Sequence, residues 1–236
     1  ICYTITVTRS TVNSNTQRGI ELSGGNHTVD SNTVSSNGLS GIYMLGSDRT
    51  TVSGNTFTSN FNGIELLSGA DTNTITGNTC QSNTNHGFLV GSSNENTFSG
   101  NTVTSNAYGM SFSGGCNGNT LTSNTVSSNT NYGIQLNAGS GNSVIRNVIK
   151  SNLLQGIHLL GASIDNVFIQ NTLDSNTKYQ FYIESAGGGT PAADTFLKNN
   201  IQPSTTNPDS GVYNATGNTF DLTRNYWGRT DTAGLG

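Results

Sequence analysis

The sequence predicts an all-β chain wound as a parallel β-helix, a solenoid of three short strands per coil of about 23 residues, with about nine coils counting irregular ends. Three observations predict it: Asn recurs in columns at near-constant spacing, apolar residues alternate with period two, and apolar residues suffice only for a thin core. Of 236 residues, 34 are Asn, 34 Thr, 29 Ser and 30 Gly, more than half of the chain. So polar a chain, 31% hydrophobic, could be low-complexity disorder. The low net charge of -4, only 3 Pro and the regular register argue instead for rationed apolar residues.

The columns come first. Asn32, Asn55, Asn78, Asn101, Asn124 and Asn147 are spaced by 23, and Asn171 follows after 24. Asn37, Asn60, Asn83, Asn106, Asn129, Asn152 and Asn176 form a second column. A third holds Asn73, Asn96, Asn119, Asn142 and Asn166. Gly19, Gly41, Gly63, Gly87, Gly109, Gly133 and Gly156 make a glycine column spaced by 22 to 24.

The strands follow from the period-two pattern. The first strand of each unit reads Gly-Ile-x-Leu, as in Gly19-Ile20-Glu21-Leu22, Gly63-Ile64-Glu65-Leu66 and Gly133-Ile134-Gln135-Leu136. The second strand turns one apolar residue inward: Val29, Val52, Ile75, Phe98, Leu121, Val144 and Phe168. The third does so with Val34, Phe57, Cys80, Val103, Val126, Ile149 and Leu173. One coil cannot bury its apolar face, but coils stacked ~4.8 Å apart make a continuous core. Asn tolerates the left-handed conformation of sharp bends, and stacked amides can hydrogen-bond from coil to coil. The Asn columns therefore read as architecture rather than as a binding row.

The chain reads as a single β-helix domain over 1–236: a partial first coil at 1–14, regular coils over 15–183, and irregular coils with a closing segment over 184–236. Ile1-Cys2-Tyr3-Thr4-Ile5-Thr6-Val7 reads as a strand already under way, so a mature chain, an excised domain and an incomplete chain all stay open. An uncapped first coil is an assembly surface, which predicts self-association or a neighbouring domain there. Seven complete coils and the ends imply a rod about 40–45 Å long.

Thr51-Val52-Ser53-Gly54-Asn55-Thr56-Phe57 and Asn73-Thr74-Ile75-Thr76-Gly77-Asn78-Thr79 resemble the right-handed parallel β-helix repeat family, in particular its Asn-Thr-Val-Ser-Gly-Asn-Thr surface-protein branch. The likeness covers roughly residues 4–230, and Asn225-Tyr226-Trp227-Gly228 is similar to that branch's aromatic closing segment. It implies the fold and a secreted or cell-surface setting. It leaves the activity open, because the family holds carbohydrate lyases, hydrolases and epimerases, copper-accessory proteins, phage tail spikes and noncatalytic surface proteins.

The chemistry-bearing residues fall mainly on one face. The outward column of the first strand reads Glu21, Tyr43, Glu65, Leu89, Ser111, Gln135, His158 and Tyr182. Glu21 and Glu65, two coils and ~9.6 Å apart, approach the spacing of an inverting carboxylate pair, which makes them the catalytic candidates. Tyr43, Glu65, Gln135, His158 and Tyr182 are the ligand-facing candidates. Against catalysis, the resemblance brings none of the family's hydrolase signatures and no epimerase-type Asp-Pro-His, and acidic residues are scattered without a calcium cluster.

The remaining features read more simply. No cofactor is implied, and no metal motif joins His27, His86 and His158, which fall on different coils. Cys80 reads as a core residue, Cys116 as a turn residue and Cys2 as lying near the open end, so an odd thiol could bridge chains. Thr rows on the second and third strands resemble ice-binding solenoids, or simply suit strands. Asn26 and Asn214 head the two Asn-x-Ser/Thr sequons. The acidic balance excludes nucleic acid as the main partner, and no apolar run reaches the ~20 residues of a membrane span.

The functional expectation is an extracellular or cell-surface structural β-helix, a stalk, filament subunit or adhesin module associating through its ends. The alternative is a polysaccharide-binding module or a carbohydrate-active lyase, hydrolase or epimerase; an ice-binding protein ranks last.

Overall fold

The computed structural model describes residues 4–187, 189–204 and 211–228. Cys2, and with it the expected bridge between chains, lies outside them. Twenty-eight strands are described, arranged in parallel sheets of nine, ten and nine strands. The first sheet runs from Ile20–Gly25 to Val212–Asn214, the second from Thr6–Thr8 to Thr195–Leu197, and the third from Thr11–Asn13 to Tyr226–Trp227. Each strand pairs in parallel with its counterpart one coil away, so the chain is a β-solenoid.

The period-two reading places the core correctly. Val29, Val52, Ile75, Phe98, Leu121, Val144 and Phe168 are fully buried, as are Val34, Phe57, Cys80, Val103, Val126, Ile149 and Leu173. From the first sheet, pairs such as Ile64 and Leu66, Phe88 and Val90, or Ile134 and Leu136 complete each layer. Phe98 meets Phe88 and Phe112 edge-on at centroid distances of 5.8 and 5.2 Å. Such contacts add about 0.5–1.5 kcal/mol per pair beyond area burial.

Asn ladders hold the corners. Between the second and third sheets, each side-chain amide from Asn32 to Asn199 donates to the Oδ1 of the next ladder Asn at 2.9–3.1 Å, ending on Asn225. The same amides donate backward to core carbonyls, as Asn78 does to Val52 and Asn124 to Phe98. The third corner starts with His27 and Thr50, runs from Asn73 to Asn166, and ends on Asp194. A fourth, outer ladder was not anticipated: Asp48 accepts from the Asp71 amide, Asp71 from Asn94, and Asn94 from Asn117.

One expectation about these corners is corrected. The left-handed residue is not the ladder Asn but the residue before it: Ser31, Gly54, Gly77, Gly100 and Ser123 at one corner, and Ser36, Ser59, Ser82, Ser105 and Ser128 at the next, with φ of 54–62°. The turn is made one step earlier, which sends the Asn side chain inward to bond above and below. Small Ser and Gly then occupy the turn at a modest conformational cost.

The glycine column has a steric cause. A Cβ on Gly109 would stand 2.1 Å from the Gly133 carbonyl oxygen, and one on Gly63 2.6 Å from that of Gly87. Consecutive coils therefore touch backbone to backbone where the third sheet turns into the first. The column ends at Gln180, a buried residue whose amide donates to the Asn176 carbonyl.

Cys116 lies in the turn between Tyr108–Ser113 and Thr120–Thr122, as the sequence reads it, but its side chain is fully buried in the core, the SH within 3.1 Å of the Ser113 carbonyl oxygen and 3.4 Å of that of Val90. Cys80 is likewise buried and free. The Thr rows stand in register on two sheets, from Thr6 through Thr28, Thr51, Thr74 and Thr97 to Thr120, and from Thr11 through Thr33, Thr56, Thr79 and Thr102 to Thr125. Among the described residues no helix is long and apolar enough to cross a membrane.

Candidate functional site

The outer face of the first sheet gathers most of the chemistry. Strand pairing aligns Glu21, Tyr43, Glu65, Leu89, Ser111, Gln135, His158 and Tyr182 in one column, as the sequence predicts, and adds Tyr213 at its end. A second outward column stands immediately before the glycines: Arg18, Ser40, Asn62, His86, Tyr108, Tyr132 and Gln155, followed by Tyr179 before Gln180. A third, two residues beyond the first, holds Leu45, Leu67, Gly91, Ser113, Asn137, Leu160 and Glu184.

The first two columns interleave into a continuous aromatic ribbon. His86 stacks on Tyr108 at 4.8 Å, Tyr108 meets Tyr132 at 5.0 Å, Tyr132 meets His158 at 6.2 Å, and His158 meets Tyr182 at 5.1 Å. Tyr182, Tyr179 and Tyr213 close it as a mutually stacked trio with centroids 4.9–5.4 Å apart. Seven rings thus cross six coils, or about 24 Å along the axis at the usual strand spacing. Tyr132 and His158 are buried, His86, Tyr108, Tyr179 and Tyr182 are half-buried, and Tyr213 is 44% exposed.

A polar relay runs through the ribbon. The Tyr132 hydroxyl donates to Ser111 Oγ at 3.3 Å, and Ser111 donates to Gln135 Oε1 at 3.4 Å. Gln135 Nε2 lies 3.2 Å from His158 Nδ1, His158 Nε2 lies 2.8 Å from Glu184 Oε1, and the Tyr182 hydroxyl donates to Glu184 Oε2 at 3.0 Å. One tautomer satisfies all of these: a neutral imidazole that accepts at Nδ1 from the Gln135 amide and donates at Nε2 to the carboxylate.

The electrostatics follow from burial. Burial holds the His158 pKa below its ordinary value, partly opposed by Glu184, and pushes that of His86 down to about 4. Both rings are therefore neutral at pH 7. Burial also pushes the Tyr132 hydroxyl up to about 12. Tyr182 is raised by desolvation and by its carboxylate neighbour.

The two expected catalytic carboxylates are engaged separately. Tyr43 lies between Glu21 and Glu65 in the register, with the Arg18 guanidinium 3.7 Å from its ring centroid. Glu21 pairs with Arg18 at 3.1 Å, whereas Glu65 accepts from Ser40 and from Asn62. Of the ligand-facing candidates, the structure joins Gln135, His158 and Tyr182 in the relay and leaves Tyr43 and Glu65 in this other cluster. His86, Tyr108, Tyr132, Tyr179, Glu184 and Tyr213 were missed. The first four carry a readable signal, an aromatic or His one residue ahead of the glycine column. At the sequons, Asn26 is exposed in the left-handed region, and exposed Asn214 accepts from the Thr216 hydroxyl within its own turn.

The fold is similar to that of several solved structures. A double mutant of the periplasmic alginate epimerase AlgG superposes with a TM-score of 0.80 at 16% identity, over 86% of this chain and 51% of that one. The A-module of the mannuronan C-5 epimerase AlgE4 from Azotobacter vinelandii gives 0.72 at 14% identity, over 94% and 63%. The catalytic domain of a GH87 alpha-1,3-glucanase in complex with nigerose gives 0.59 at 13% identity, over 96% and 56%. The chain thus spans about half to two thirds of these structures. Among curated proteins no sequence matches it.

The family described as periplasmic copper-binding protein (NosD) matches residues 112–234. In that stretch the soft or imidazole donors are His158 and Cys116 alone. Both His158 nitrogens face protein partners, and the Cys116 thiol lies in the core against backbone carbonyls. Among the described residues no three His, Cys, Asp or Glu converge on a metal position, so these donors do not fit a copper ion. The family described as right handed beta helix region matches residues 2–149. Each match covers more than half of the sequence, and the chain belongs to the right-handed β-helix family and, over its C-terminal half, to the NosD family.

Proposed function

We propose that the protein is a polysaccharide-binding β-helix that seats an extended glycan along the outer face of its first sheet. The observation that carries this reading is the seven-ring ribbon from His86 to Tyr213, interleaved with hydrogen-bonding side chains. Aromatic surface suits the C–H faces of sugar rings, most openly at Tyr213, while Gln135 and Glu184 offer partners for hydroxyls. Because the ribbon runs along the axis, it favours a linear chain of sugars over a single small ligand.

Binding is preferred to catalysis for a specific reason. Each group of the relay that could transfer a proton is committed to a neighbour: both His158 nitrogens, the Tyr132 and Tyr182 hydroxyls, and both Glu184 oxygens. That arrangement makes a rigid platform rather than a poised acid–base centre. A stiff rod carrying such a platform would serve as an adhesive module. The periplasmic setting named for NosD and for AlgG supports placement outside the cytoplasm.

Affinity electrophoresis against a panel of linear polysaccharides tests the reading. Retardation by at least one polymer is expected, reduced in Tyr179→Ala and Tyr213→Ala proteins that melt like the parent. Retardation unchanged in both variants would refute this face as the binding site.

A further inference from the structure

The charge distribution of this face carries a statement about which glycan it takes, and that statement rests on the binding reading above. The three outward columns hold three carboxylates, Glu21, Glu65 and Glu184, and a single cation, Arg18. That cation is already spent: it pairs with Glu21 and lies over the Tyr43 ring. The two histidines add no positive charge near neutral pH, because burial keeps both imidazoles neutral. Among the described residues of the three columns along the ribbon, the only formal charge is therefore the carboxylate of Glu184, held by His158 and Tyr182. Lys178, exposed and one residue before Tyr179, lies in the corner column, where its backbone pairs with Leu154.

A uronic-acid polymer repeats a carboxylate at each sugar. Seated along the ribbon, it would lay those charges beside Glu184, and like charges placed together in an interface oppose binding. A neutral polymer meets no such penalty. Its hydroxyls can donate to the carboxylate and to Gln135, and its ring faces can lie on the exposed Tyr213 at the end of the ribbon. We infer that the face is selective for neutral, hydroxyl-rich hexose polymers and excludes polyuronates. This sets the chain apart from the alginate and mannuronan epimerases whose fold it shares.

The test is calorimetric titration and affinity electrophoresis with the whole chain, using neutral β-glucan, α-glucan and mannan beside polymannuronate, with and without calcium. Binding to a neutral polymer is expected, with affinity changing less than about twofold between about 50 and about 500 mM NaCl, since no ion pair is there to be screened. It should weaken in Tyr179→Ala. Polymannuronate bound in preference to every neutral polymer, and lost in Tyr179→Ala, would overturn the neutral selectivity while leaving the face as a glycan site. No binding to any polymer would overturn the glycan reading itself, and the selectivity with it.

Discussion

His158 Nε2 lies 2.8 Å from Glu184 Oε1, on the next coil of the same sheet. The pair joins two elements of the face, because Glu184 also receives the Tyr182 hydroxyl and His158 also meets Gln135. Burial nevertheless outweighs the carboxylate's pull and keeps the imidazole neutral at pH 7. The contact is thus a hydrogen bond that orients the ring rather than an ion pair.

Acid should loosen this face. His86 is held at about 4 by burial, and its Nδ1 has no partner. A folded pKa below the ordinary ~6.5 means that the unfolded chain binds the proton more readily. The stability is fully present above about 6.5 and is lost as pH falls through 6.5 toward 4. In thermal melts across this window, the midpoint of the parent relative to that of His86→Phe, which keeps the stack on Tyr108, should fall as the pH is lowered. An identical slope in the variant would refute the assignment.

Asp194 acts in the opposite sense. It ends the third ladder with one oxygen accepting from Asn166 and the other buried without a partner, and burial pushes it up to about 6. A raised folded pKa means that its stabilising influence is present below 3.8 and is lost as pH rises through 6. Asp194→Asn should stabilise the protein at pH 8 by about 1–2 kcal/mol and leave it little changed at pH 4. Urea unfolding at the two pH values measures the difference.

Ladder and turn positions should respond differently to substitution. Asn124 accepts from Asn101 and donates to Asn147 and to the Phe98 carbonyl, all of them buried groups. Asn124→Ala should cost about 2–4 kcal/mol in urea unfolding. Gly109→Ala forces backbone against backbone and should cost more than about 3 kcal/mol or prevent folding. Gly100→Asn occupies an open turn with φ of 62° and should cost under about 1 kcal/mol.

Thiol accessibility checks the core. Burial raises the pKa of both Cys80 and Cys116, which disfavours the reactive thiolate. Titration of the native protein with a thiol reagent should detect at most the thiol of Cys2, whereas the denatured chain should show all 3. Rapid native reaction at Cys116 would contradict its place in the core.

Much of this was legible beforehand. The repeat alone placed Val29, Phe57 and Phe98 inside and aligned Glu21 through Tyr182 on one face, because a solenoid turns sequence spacing directly into spatial stacking. The left-handed Ser and Gly ahead of each Asn were harder to read, since ladder and turn residues are neighbours and share the same period. The Arg18–Tyr43 stack and the relay were not legible either, because they depend on side-chain reach between columns.

The sequence by itself therefore determined the coil, the strand register and the identity of the core. Periodic hydrophobicity and a steric ban at Gly109 and its equivalents leave the backbone one register. Only the tertiary structure decided which outward residues act together. Stacking placed His86 against Tyr108, and Tyr179 against both Tyr182 and Tyr213, whereas Glu21 and Glu65 were parted by Tyr43 and bound to local partners. The reason is physical: backbone pairing fixes columns through coil-to-coil hydrogen bonds, but side chains choose partners by burial and reach, which repeat spacing does not encode.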